Sequence, residues 1–133
     1  MENNISRFKA REQGFILIFE KIFHPEPIED IIANAEESRD MVIDDYALEL
    51  VNGVYANLDD IDSVISGKLK KGWTIKRISK TSLAILRLAV YEMRYADDVP
   101  EGVAINEAVE LAKKYTVDES KFINGVLGAV SKS

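Results

Sequence analysis

The stretch Ser79-Lys80-Thr81-Ser82-Leu83-Ala84-Ile85-Leu86-Arg87-Leu88-Ala89-Val90-Tyr91-Glu92-Met93-Arg94-Tyr95 decides the fold. Leu83, Leu86, Val90 and Met93 follow one another at intervals of three and four, which is one stripe of an α-helix. Ile85, Leu88 and Ala89 widen that stripe onto a second side. A helix apolar on more than one side belongs at the centre of a fold, covered by other helices. Ser79 suits its N-cap, and the helix is expected to end near Tyr95.

The same periodicity continues on both sides. Toward the N-terminus, Phe8, Phe15, Ile18, Phe19, Ile22 and Phe23 mark a first helix over about 5–23, stopped by His24-Pro25-Glu26-Pro27, because a residue before proline avoids the helical region. Pro27 opens a short second helix reaching about Glu36. Asp40 is the expected cap of a third, with Val42, Tyr46, Leu50, Val54 and Leu58 along one side. Asp59-Asp60 suits the start of a fourth, where acids complement the helix dipole; it ends near Gly67, and Lys70-Lys71-Gly72 is a turn. Toward the C-terminus, Ile105, Ala108, Val109, Ala112 and Tyr115 mark a sixth helix. Asp118 or Ser120 begins a seventh, with Phe122, Ile123, Val126, Leu127 and Val130 facing inward. Alternating strands are absent, and prolines occur only at 25, 27 and 100. The expectation is an all-α globule of seven helices, a single domain over residues 1–133.

Composition narrows the chemistry. The 133 residues are 47% hydrophobic and 30% charged, as in an ordinary globular domain. There is no cysteine, which excludes disulfides, thiol nucleophiles and thiolate metal sites. His24 is the only histidine, so no two-histidine metal site fits unless a second chain supplies ligands. No cofactor or metal is expected. The acid pairs Asp44-Asp45, Asp59-Asp60 and Asp97-Asp98 point apart on a helix and do not converge on a substrate atom. Gly125-Val126-Leu127-Gly128 lacks the Lys-Ser/Thr tail of a phosphate loop. With no secretory h-region and no run of eighteen apolar residues, the expected compartment is the cytoplasm.

The net charge of −6 argues against a strong general nucleic-acid binder. The charge is segregated, however. Residues 26–62 hold twelve acids against one base, Arg39, whereas Lys68, Lys70, Lys71, Lys76, Arg77 and Lys80 form a run with no acid between them. Arg7, Lys9 and Arg11 form a second basic stretch. Arg7 and Arg11 are four apart and share a helix face, one that can meet phosphates, with Phe8 and Phe15 either supporting bases or packing in the core. Ser120, Lys121 and Phe122 place a hydroxyl, a cation and a ring at a helix start, where free N–H groups welcome an anion, although Asp118 and Glu119 repel one.

Several motifs together resemble a known family. They are Lys9-Ala10-Arg11-Glu12, Ile85-Leu86-Arg87-Leu88-Ala89-Val90-Tyr91-Glu92-Met93, the segment from Val99-Pro100 to Lys113 with Ile105-Asn106-Glu107-Ala108 at its centre, and Lys121-Phe122-Ile123-Asn124-Gly125-Val126-Leu127. In this order they are similar to the NusB family of bacterial transcription antitermination factors. The resemblance spans the chain, is densest from Trp73 to Leu127, and is faint over 26–70. It implies a seven-helix fold of two packed bundles and no enzymatic activity. It implies pairing with the small-subunit ribosomal protein NusE and binding of boxA RNA in nascent transcripts, notably of ribosomal RNA operons. RNA polymerase and other Nus factors complete the complex that suppresses premature termination. Carried onto matching positions, RNA contacts fall on Arg7, Lys9, Arg11, Lys121 and Phe122, with Ser120 nearby.

The NusE surface falls on Arg87 and Glu92, whose helix positions equally suit intramolecular bridges. Some members form homodimers that cover the RNA site. The usual run of consecutive arginines is thinned here, and Phe19 stands where the family commonly has a tyrosine. That leaves an alternative, a NusE-binding module with little RNA specificity. Similar domains also precede some RNA methyltransferases, but no catalytic domain is expected in the 133 residues.

Overall fold

The computed structural model describes residues 5–133. Among them are seven α-helices and no strand: α1 (Arg7–Phe23), α2 (Ile28–Ser38), α3 (Asp45–Ala56), α4 (Leu58–Gly67), α5 (Lys80–Tyr95), α6 (Glu101–Tyr115) and α7 (Ser120–Ser131). The helix α5 is the axis of the molecule. It packs against α1 and α3 on one side and against α4, α6 and α7 on the other. The fold therefore reads as two bundles that share α5. Ten of its residues are buried, from Ser82 to Glu92, as its two-sided apolar pattern requires. Its N-cap is Ser79, whose Oγ accepts the N–H of Ser82 at 3.1 Å. The remaining core comes from α1 (Phe15, Leu17, Ile18), α3 (Leu50, Val51, Val54), α4 (Ile61, Ile65) and α7 (Ile123, Leu127). By contrast α2 leans mainly on α1.

Two local readings shift, and the open choice at the seventh helix closes. The third helix is capped by Asp44, whose carboxylate accepts the N–H of Tyr46 at 2.9 Å, and not by Asp40. Gln13 on α1 explains the delay: its amide donates to the Val42 carbonyl at 3.1 Å and accepts the Asp44 N–H at 2.9 Å. That clamp holds 42–44 outside the helix, leaves Val42 exposed, and follows Asp40 in the left-handed region at φ 49°. The third helix also stops at Asn57, before Leu58, because the Asn57 side chain bonds the Gly53 carbonyl at 2.8 Å. Finally, α7 begins at Ser120, since Asp118 has φ 64°, a conformation that aspartate tolerates better than most residues.

Candidate nucleic-acid interface

Ser6 starts α1 by accepting the Lys9 N–H on its Oγ at 3.1 Å. The cap fixes where the next turn points. Arg7 is exposed, and its guanidinium carbon lies 3.7 Å from the centroid of the Tyr46 ring on α3. Among the described residues its N–H groups have no hydrogen bond or ion pair. Lys9 is exposed and similarly unpaired.

Arg11, one turn further, is only 3% exposed. Its Nε donates to both oxygens of Glu92 at 3.0 and 2.9 Å, and its Nη1 donates to Glu107 at 3.0 Å. Glu92 is wholly buried and also accepts the Tyr46 hydroxyl. A guanidinium can enter a core only against a carboxylate with its donors satisfied, and Glu92 supplies that partner. Arg11 is therefore a core residue tying α1 to α5 and α6, which corrects its assignment as an RNA contact. Glu92 is likewise removed from any partner-binding surface. Arg87 makes a two-pronged bridge to Asp62 at 2.9 and 2.8 Å, joining α5 to α4, so its guanidinium is engaged within the chain. Of the aromatic pair beside these cations, Phe15 is core and Phe8 packs partly against it.

Glu12 takes the Lys114 ammonium and, at 2.7 Å, the Tyr115 hydroxyl. Burial pushes Glu12 up, but the Lys114 and Tyr115 hydrogen bonds, with the charges of Lys114 and Lys9, more than reverse this and hold it below the usual carboxylate range. Burial, and then the bond to Glu12, pushes Tyr115 up to about 12, so it remains a donor. This contact pins the end of α6 to α1. Ser120 follows Tyr115 by five residues, a span of at most roughly 18 Å at about 3.5 Å per residue. The start of α7 therefore lies within that span of the point where α6 meets α1.

The start of α7 opens onto a surface groove of about 960 Å³. Ile78, Phe122, Gly125, Val126 and Ala129 form apolar wall, and Lys68, Lys70, Arg77 and Lys121 bring four cations to it. Trp73 is 52% exposed and holds the Arg77 guanidinium 5.6 Å from its ring. Lys68, Lys70 and Lys121 have no ion pair among the described residues. Glu119 is the one acid in the lining, and a single oxygen, Oε1, accepts both Ser79 (2.7 Å) and Ser82 hydroxyls. Those two donors blunt its repulsion of an anion. Phe122 is half-buried against the core with the rest of its ring facing the groove. Ser120 sits behind, in a smaller depression beside Thr116 and Val117. No side chain caps α7.

An apolar slot with two accessible rings and a rim of unpaired cations suits a flat aromatic group attached to phosphate, because stacking and charge act on the same ligand. The tertiary structure thus adds Lys68, Lys70, Trp73 and Arg77 to Lys121 and Phe122. Their signal in the sequence was the acid-free basic run, whose role the sequence left open. Among the described residues no cluster of carboxylates and histidine is placed to hold a metal, and no helix is long and apolar enough to cross a membrane.

Known proteins match this arrangement closely. The NusB family model matches residues 9–132. A transcription antitermination protein NusB from Acetivibrio thermocellus is 48% identical over 131 residues, covering 96% of this chain and 90% of that protein. A solved structure of T. maritima NusB superposes with a TM-score of 0.84 at 34% identity, covering 100% of this chain and 94% of that one. A crystal structure of the antitermination factors NusB and NusE in complex with dsRNA superposes with a TM-score of 0.82 at 28% identity, covering 96% and 98%. A family match over almost the whole length, with relatives of more than 40% identity and the fold agreeing, leads to one conclusion: the chain belongs to the NusB family.

Proposed function

We propose that this protein is a non-enzymatic transcription antitermination factor that pairs with the ribosomal protein NusE and binds boxA RNA of nascent transcripts, notably those of ribosomal RNA operons. The complex works with RNA polymerase and other Nus factors, which places it in the bacterial cytoplasm. The observation that carries the reading is the groove. In a chain of net charge −6, four cations and two accessible aromatic rings gather at one apolar slot that includes Lys121 and Phe122. The known complex of a 28% identical NusB with NusE and RNA supports the choice of partners.

The RNA contacts in this reading are Arg7, Lys9, Ser120, Lys121 and Phe122, extended by Lys68, Lys70, Trp73 and Arg77. Six of the cations (Arg7, Lys9, Lys68, Lys70, Arg77 and Lys121) face outward. At about 0.7 per contact with single-stranded RNA, they give a salt slope of roughly −4. So few contacts on an acidic protein make RNA binding weak alone, and a basic partner turns the surface into a composite site.

The burial of Arg11 favours a second reading, since it leaves only Arg7 and Lys9 in the N-terminal stretch. That reading is a NusE-binding module without RNA selectivity. Binding of a boxA-like RNA and a scrambled control, with and without NusE and at two salt concentrations, separates the two. Tight, selective binding only with NusE supports the composite site. A NusE complex that shows no selectivity overturns it in favour of the module.

A further inference from the structure

We infer that Tyr46 is a positioning residue for RNA binding, holding the Arg7 guanidinium ready for a phosphate. The inference rests on the RNA reading above. Tyr46 belongs to α3, which carries no RNA-contact residue in that reading. Its ring nevertheless lies directly beneath Arg7, at 3.7 Å from ring centroid to guanidinium carbon. The opposite end of the same side chain is fixed, because its hydroxyl donates to Glu92, the fully buried carboxylate that also receives both bonds of Arg11 Nε. Arg11 itself stands 5.9 Å from the ring centroid. Four helices thus converge on one aromatic plane: α1 through Arg7 and Arg11, α3 through Tyr46, α5 through Glu92 and α6 through Glu107. The ring cannot drift, so the cation resting on it cannot drift far.

The physical consequence concerns Arg7. A free arginine loses most of its rotamer freedom when it grips a phosphate. One already held by a ring through its cation–π attraction has lost much of that freedom beforehand. Contact with the ring engages the face of the guanidinium, while the N–H donors that grip phosphate lie in its plane. Those donors have no partner among the described residues, so the stack leaves them available to a ligand. Arg11, four residues away, shows the contrast: its Nε and Nη1 are committed to the carboxylates of Glu92 and Glu107 within the protein.

The test is a double-mutant cycle read by binding of a boxA-like RNA in the presence of NusE. The variants are Arg7→Ala, Tyr46→Leu, Tyr46→Phe and Tyr46→Leu in the Arg7→Ala background, all measured well below their melting temperatures. Both tyrosine variants lose the hydroxyl bond to Glu92, and only Tyr46→Phe keeps an aromatic face. Arg7→Ala is expected to weaken binding about five-fold, Tyr46→Leu about three-fold, and Tyr46→Phe less than two-fold. In the Arg7→Ala background the Tyr46→Leu loss is expected to vanish, because nothing remains to be positioned. A merely structural role for Tyr46 would leave its loss unchanged in that background and make Leu and Phe alike; either result overturns the inference. If Arg7→Ala weakens binding while Tyr46→Leu does not, positioning fails and the N-terminal RNA contact stands. If Arg7→Ala binds like the wild type, the N-terminal contact itself falls, and the inference with it.

Discussion

Arg11 is the residue at which two explanations of the same basic motif give opposite results. As an RNA contact, Arg11→Ala would lower RNA affinity by around 1 kcal/mol and flatten the salt slope while leaving the fold intact. The structure requires the reverse. Arg11 is 3% exposed, and its removal leaves Glu92, at 0% exposure, with the Tyr46 hydroxyl as its only remaining hydrogen-bond partner among the described residues. Breaking one side of a buried ion pair costs about 3–5 kcal/mol, because the surviving charge stays desolvated. A domain of this size has a total stability of about 5–15 kcal/mol. The expected fall in melting temperature is roughly 9–20 °C, at about 3–4 °C per kcal/mol. The assay is a thermal melt followed by RNA titration at several salt concentrations, at a temperature where the variant is fully folded. The slope counts phosphate contacts, so it should match that of the wild type. A double variant, Arg11→Met with Glu92→Leu, should recover part of the lost stability, since replacing a whole buried pair with apolar groups is far cheaper than halving it. An Arg11→Ala protein that melts like the wild type and shows a slope reduced by about 0.7 would refute the reasoning.

Other consequences follow from the same contacts. Trp73→Ala and Lys121→Ala should each weaken RNA binding by about 1 kcal/mol or more with little change in the melt; Trp73 supplies stacking at an exposed site, and Lys121→Ala should also lower the salt slope by about 0.7. Gly53→Ala should destabilise by about 1–3 kcal/mol on denaturant titration, because a Cβ there would lie 2.2 Å from the Tyr91 ring, which is buried; Gly125→Ala, with open space around it, is the control. Glu12 is held below its ordinary value of 4.5, so its contribution to stability is present above that pH and is lost as pH falls through its folded value. Melts between pH 6 and roughly pH 3 should show this acid loss in the wild type, and a shallower one in Lys114→Met, which removes one of the partners that depress Glu12.

The sequence by itself determined the helices and their order. Ser79 and the two-sided apolar pattern of 82–93 identify a capped central helix, because local periodicity and capping are properties of neighbouring residues. The same holds for the first turn of α4, where the Asp59-Asp60 pair sits. The segregation of charge was also legible, as were the motifs that carry the family. The tertiary structure decided which member of each pattern faces outward. Arg7 and Arg11 have the same spacing and the same chemistry, yet Glu92, 81 residues from Arg11 in the chain, draws one of them inside. Asp40 and Asp44 are equally good caps in isolation, and Gln13 chooses between them from another helix. Phe23 fits the apolar stripe of α1 but lies beyond the cover of its neighbours and is exposed. The groove shows the same dependence on the fold. Trp73 and Phe122 are separated by most of the C-terminal bundle in sequence and line one groove because α7 packs against α4 and α5. Burial, pairing and shared cavities depend on distances between residues far apart in the chain, and no window of sequence contains those distances.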